Sequence, residues 1–336
     1  MKTSLWCSLT GLGLTAGLIF AQSVTTDTAD THRANAKAAA GTDLTGVLTA
    51  ACPAPPAPGT PGRGPGRGTG PRPTPPREEW YNEPVKVFDN LYFLGTKVHD
   101  AWAVSTSDGI ILIDALFAYA AESEIAEGMK KLGLDPEKIK YVIISHGHGD
   151  HSGGAKYLQD KYHARIILSP ADWDLLARAP NSEATNPKRD IEATDGQKLT
   201  LGDTTLTLYI TPGHTGGTIS TLIPVKDAGQ THIAAEWGGT VISPASPIPM
   251  LQAYVKSAQR FRDLATGSDV VMSNHTAFDN ALVKNDALRT RKAGDPHPWI
   301  VGKEVVARYL TVAEECGKAN LITAEANASQ PNARQQ

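Results

Sequence analysis

Six consecutive residues, His146-Gly147-His148-Gly149-Asp150-His151, constrain this 336-residue chain more than any other stretch. They crowd three imidazoles and a carboxylate together, the nitrogen and oxygen donors that bind zinc and similar divalent ions. A helix would scatter these side chains around its circumference. A tight loop with two glycines can turn them toward one point. The apolar run Tyr141-Val142-Ile143-Ile144-Ser145 just before it reads as a buried strand that delivers the loop.

Two more histidines follow strands in the same way. His214 lies in Thr211-Pro212-Gly213-His214-Thr215-Gly216-Gly217, after the strand Leu206 to Ile210, and His275 lies in Ser273-Asn274-His275, after Val270-Val271-Met272. In layered α/β folds ligands collect outside strand ends, so three strands can aim these side chains into one cleft. A catalytic zinc takes three protein ligands plus water. His146, His148 and His214 can serve one ion, and Asp150, His151 and His275 a second. Two Zn2+ ions, or another divalent metal, can share a hydroxide that is potent near neutral pH. Asp150 is also the candidate catalytic residue, orienting the nucleophile or moving its proton. His32, His99, His163, His232 and His297 stand alone and read as core or surface residues.

The N-terminus bears on the compartment. Lys2, an apolar stretch from Leu9 to Phe20 and a cleavage position at Ala21 read as a signal peptide over residues 1–21. The apolar run is shorter than the roughly 20 residues that span a bilayer, so no transmembrane segment is expected in the mature protein. Localisation is expected to be periplasmic or secreted, an oxidising setting. Cys7 leaves with the signal, and pairing of Cys52 with Cys316 stays open. Residues 22–78 read as a disordered arm. It is Ala/Thr-rich at first, and from Pro53 to Pro76 it has 16 of 24 residues Pro or Gly, with Arg63, Arg67 and Arg72 between them.

The folded unit is expected over residues 79–320, with a flexible tail over 321–336. Strands are expected at 85–88, 91–94, 102–105, 109–113, 141–145, 165–168, 198–201, 204–210, 218–225, 232–235 and 269–273. Helices are expected at 120–132, 155–161 and 171–179, around Leu251 to Leu264, and along the stripe Val305, Val306, Tyr309, Leu310 and Ala313. Hairpins mixed with strand–loop–helix units indicate a layered α/β domain. The formal net charge of -3 provides no field for nucleic acid. The folded part lacks an evident basic surface, so a small-molecule substrate is expected.

From Glu79 to Ala319 the sequence resembles the metallo-β-lactamase superfamily. The motifs that carry the likeness are Ile143-Ile144-Ser145 followed by HGHGDH, and TPGHTGG. Within it the chain is most similar to the subclass B3 enzymes. Leu94-Gly95-Thr96 precedes the second hairpin, Asp195-Gly196-Gln197 precedes Leu199-Thr200-Leu201-Gly202, and no cysteine enters the second donor set. The resemblance implies a four-layer αββα sandwich, two mixed sheets with helices outside and the site at one edge. It gives Asp114 a role supporting the metal loop from behind. Where such enzymes show an Asp-Ser-Leu-Ser type segment, this chain has Glu236-Trp237-Gly238-Gly239-Thr240. Trp237 and Thr240 are the substrate-side or supporting candidates there, and Glu236 reads as a support behind the site or as structural.

The expected function is that of a secreted zinc hydrolase, β-lactamase-like, in which a metal-bound hydroxide opens a cyclic amide, with antibiotic resistance as the associated trait. The alternative keeps the same two metals and acts on a lactone, a thioester or another ester. A non-catalytic zinc protein of the envelope would need sites closed by four protein ligands.

Overall fold

Successive side chains of a strand point to opposite faces, and the strand Gly109–Ile113 shows what that does here. Ile110 and Leu112 join one apolar cluster, with Ile125, Met129 and Leu158. Ile111 and Ile113 join another, with Leu206, Leu208, Ile223 and Met272. A strand buried on both faces belongs in an inner layer. The computed structural model describes residues 27–53, 74–178 and 182–329.

Seven strands form the first sheet in sequence order: β1 (Val85–Lys86), β2 (Leu91–Phe93), β3 (Trp102–Thr106), β4 (Gly109–Ile113), β5 (Ile139–Ile143), β6 (Arg165–Leu168) and β7 (Ile191–Glu192). β1 to β4 pair antiparallel, and β4 to β7 pair parallel. The second sheet contains β8 (Gln197–Leu201), β9 (Thr204–Ile210), β10 (Ile219–Asp227), β11 (Gln230–Trp237) and β12 (Val270–Ser273), in the order β12-β11-β10-β9-β8. Only β11 and β12 pair parallel there. Both sheets are mixed. They face each other across a core that includes Phe93, Trp102, Ile143, Ile167, Ile219, Ala234, Val270 and Trp299.

Helices cover both outer faces. The chain from Ala118 to Lys131, with a π-type turn at Ala121–Ala126, packs on the first sheet together with the helix Ala155–Tyr162. On the second sheet, Ala235, Trp237 and Val271 pack under the helices Ile248–Leu264 and Lys303–Ala328. The result is the αββα sandwich expected from the sequence. The two-residue strand β7 was not expected. It lengthens the parallel half by pairing with β6.

Two expectations about the ends are corrected. Part of the segment read as a disordered arm forms two helices, Ala29–Ala40 and Thr45–Ala51. Alanine suits a helix. The Thr28 side chain caps the first of these by accepting from the Thr31 backbone N–H at 3.1 Å, and Gly41 ends it at φ 57°. Ala36, Ala40, Val47 and Ala51 are buried in the cluster that holds Val306, Leu310 and Ala313. Cys52 forms a disulfide with Cys316. Asn320 donates to the carbonyls of Ala51 and Ile242, at 3.0 Å each. The expected tail from residue 321 is likewise helical as far as Ala328. The signal segment 1–21, the linker stretch 54–73 and residues 330–336 lie outside the described residues. Among the described residues no helix is long and apolar enough to cross a membrane.

Candidate metal centre

The donors gather at one edge of the sandwich, beyond the ends of β5, β9 and β12. His146 and His148 lie in the loop after β5, and a short turn of helix, Gly149–Ser152, presents Asp150 and His151. His214 follows β9, and His275 follows β12. Three triplets of donor atoms have mutual separations within 4.8 Å: His146, His148 and His214; His146, Asp150 and His151; and His99, Asp150 and His275.

The first triplet fits a cation on hydrogen-bond chemistry. His146 Nδ1 donates to the Gly238 carbonyl at 2.9 Å, and His214 Nδ1 donates to the Val241 carbonyl at 2.5 Å. With both protons committed, the two Nε2 atoms face each other at 3.1 Å as bare lone pairs. His148 Nδ1 lies 3.1 Å from the same His214 nitrogen. Facing lone pairs repel unless a cation lies between them. Burial holds His146 and His148 below the usual imidazole range and His214 at about 4. All three are therefore neutral at pH 7, the form that ligates.

The second group contains a carboxylate. Asp150 Oδ2 is 3.3 Å from His151 Nε2 and 3.7 Å from His275 Nε2, and the two Nε2 atoms are 3.3 Å apart. Burial alone would lower His151, but Asp114 and Asp150 overcome it and push the imidazole up to about 10. Burial would raise Asp150, but His151, His99 and His275 outweigh it and hold the carboxyl well below its usual range. Burial and neighbouring imidazoles push His275 down to about 3. A cation held here by Asp150, His151 and His275 would replace the His151 proton and relieve the crowding.

Asp114 anchors this loop from behind. Its φ of 62° turns the side chain back under the motif. Oδ1 accepts from the Ser145 backbone N–H at 2.7 Å, and Oδ2 accepts from Ser145 Oγ at 2.9 Å and His151 Nδ1 at 2.8 Å. Asp172, which sequence reasoning missed, ties the two metal loops together. Its Oδ2 accepts from the Gly147 N–H and from Thr215 Oγ1, both at 2.8 Å. The only sequence signal for it is local: Ser169 three residues earlier caps the helix Pro170–Ala177 by accepting from the Asp172 N–H.

The segment 236–240 packs closely behind the donors. A Cβ on Gly238 would lie 1.8 Å from the Ile219 carbonyl oxygen, and one on Gly239 would lie 2.6 Å from His214 Cβ. Glycine alone lets this backbone close on His146 and His214. Trp237 and Thr240, expected on the substrate side or in a supporting role, are each 1% exposed, which suits the supporting role. Trp237 packs on Tyr254 and Phe261. Thr240 Oγ1 lies 3.4 Å from both Ser273 Oγ and Tyr309 Oη. Glu236 is buried among core strands, and burial raises its carboxyl well above the usual range.

Four of the isolated histidines lie away from the donors, three of them with side-chain partners. His32 meets Glu315, His163 ends a helix at φ 56°, His232 pairs with Asp269, and His297 stacks on Phe88. His99 is the exception. The expectation of a core or surface role is corrected, because its Nε2 lies 3.5 Å from Asp150 Oδ2. The rim beside it is apolar. Phe117 packs edge-on against His99 and stacks on Tyr119, Phe278 stacks on His275, and Val98 and Val241 are exposed.

This sandwich and this donor set define a metal-binding hydrolase. The chain belongs to the metallo-β-lactamase superfamily, whose family model matches residues 94–228. It is similar to the hydroxyacylglutathione hydrolase of Acidiphilium cryptum, 30% identical over 214 residues that make up 58% of this chain and 78% of that relative. An N-acyl homoserine lactonase from a Bacillus species is 29% identical over 110 residues, 32% of this chain and 42% of that protein. Among solved structures, BJP-1, a subclass B3 metallo-β-lactamase of Bradyrhizobium japonicum, superposes with a TM-score of 0.62. It is 26% identical, and the match covers 74% of this chain and 96% of that one.

Proposed function

We propose that this protein is an exported hydrolase with two zinc ions that opens a strained cyclic amide, with β-lactams as the leading substrate. The observation that carries the reading is the pair of adjoining donor groups at one open edge. His146, His148 and His214 would hold one ion; Asp150, His151 and His275 would hold the other. Such a pair supplies a strong nucleophile from water near neutral pH and a Lewis acid for the carbonyl oxygen.

The chain's own residues prepare that chemistry. The Gly238 and Val241 carbonyls and the Asp114 carboxylate accept hydrogen bonds from Nδ1 of His146, His214 and His151, which fixes each ring and its tautomer. A carboxylate held as far down as Asp150 is a weak base. It accepts a hydrogen bond from the attacking water and orients it, rather than storing its proton. Phe117, Tyr119 and Phe278 offer apolar surface to the ring system of a small substrate. The disulfide between Cys52 and Cys316 supports export to an oxidising compartment, as do Lys2 and the apolar run 9–20.

A second reading keeps the residues and changes the bond to a thioester or lactone. It is favoured by the burial of the Thr240 hydroxyl, which leaves segment 236–240 without an exposed hydroxyl for a substrate carboxylate. The names of the similar hydrolases point the same way. A parallel rate panel separates the two: a chromogenic β-lactam, an acyl-homoserine lactone and an acylglutathione thioester on one zinc-loaded sample. Dominant β-lactam turnover is expected. Lactone or thioester turnover with none on the β-lactam reverses the order.

A further inference from the structure

We propose that His99 is a fourth protein ligand of the second metal position, beside Asp150, His151 and His275. The inference rests on the two-ion reading above and adds to it a difference between the two positions. His99 Nε2 stands 3.5 Å from Asp150 Oδ2, between the 3.3 Å of His151 and the 3.7 Å of His275 to the same oxygen. That is longer than a good hydrogen bond, about 2.7–3.2 Å. Tetrahedral bonds of about 2.0–2.1 Å set donor separations near 3.4 Å, and the His99 donor atom groups with those of Asp150 and His275 within 4.8 Å.

The backbone holds His99 in place from both sides. The loop between β2 and β3 is joined to the His275 loop by a β-bridge between His99 and His275. The Asp100 N–H donates to the Asn274 carbonyl at 3.0 Å, and the Thr276 N–H donates to the Val98 carbonyl at 3.1 Å. Within the loop, the His99 N–H donates to Thr96 Oγ1 at 2.9 Å, and the Thr96 N–H donates to the His99 carbonyl at 2.8 Å. A Cβ on Gly95 would lie 2.5 Å from the His99 carbonyl oxygen, so the loop closes this tightly only with glycine there. The imidazole is packed edge-on by Phe117.

A fourth protein donor would strengthen retention of the ion at the second position, which would become five-coordinate on sharing a hydroxide with the three-imidazole position.

The test is a Co2+ titration of the metal-free full chain, followed by visible absorption and by metal content after dialysis, in wild type, His99→Ala and His99→Gln. Wild type is expected to take two ions. Both variants should bind the first ion as wild type does, bind the second at least about tenfold more weakly, and show an altered absorption for that second ion. Wild-type affinity and an unchanged spectrum for the second ion in both variants overturn the assignment. Proton resonances of wild-type Co2+ protein provide a readout that needs no variant. Hyperfine-shifted imidazole signals from six histidines are expected, and signals from only five overturn the assignment. A wild-type chain that takes up fewer than two ions fails the two-ion reading itself, which is visible before any variant is made.

Discussion

Asp114 shows how much of the centre depends on one carboxylate that touches no substrate. It holds Ser145 twice and His151 once from beneath the metal loop. Asp114→Ala should lower metal affinity roughly ten- to hundredfold, read by competition against a chromogenic chelator; unchanged affinity would remove Asp114 from the account. The six donors of the motif loops were legible in the sequence because glycine-spaced imidazoles directly after apolar strands have few other uses. His99 was not legible. It stands alone in its loop, and its partners are 51 and more residues away, brought near by the pairing of its loop with the His275 loop. Nor was the role of Gly238 and Gly239, because a close approach between backbones leaves no trace in either segment alone.

At the scale of elements, the strands were legible from their apolar runs, and two of the hairpin turns from Asp108-Gly109 and Gly202-Asp203. The helices Ala29–Ala40 and Thr45–Ala51 were not. Their buried faces are mostly alanine, whose contribution lies in close packing rather than in a strong apolar period. The π-type turn Ala121–Ala126 carries a different cost. It buries Glu124, 1% exposed, and that burial pushes its carboxyl up to about 8 from an ordinary 4.5. A folded-state value above the unfolded one means that the native chain holds this proton more tightly. The contribution is full below about pH 4.5 and is lost as pH rises through about 8. Glu124→Gln should therefore gain stability relative to wild type between pH 5 and about pH 8.5, by denaturant midpoints at both ends. Parallel midpoints at both pH values would contradict the burial argument.

Over the whole molecule, the N-terminal helices and the helix Lys303–Ala328 form one outer layer, joined by the bond between Cys52 and Cys316 across 264 residues. Replacing both cysteines by serine should cost about 2–4 kcal/mol by chemical denaturation. Metal content should stay the same, because none of the donors lies on these helices. An equally stable variant would show that the layer holds without its cross-link. On the proposed function, this architecture holds two metal ions that do the hydrolytic work. The most direct test measures metal content and hydrolysis rate on one sample, before chelation, after it, and after zinc is returned. Two ions per chain, loss of turnover with the metal and recovery with zinc are expected; a metal-free protein that remains fully active would overturn the two-metal reading.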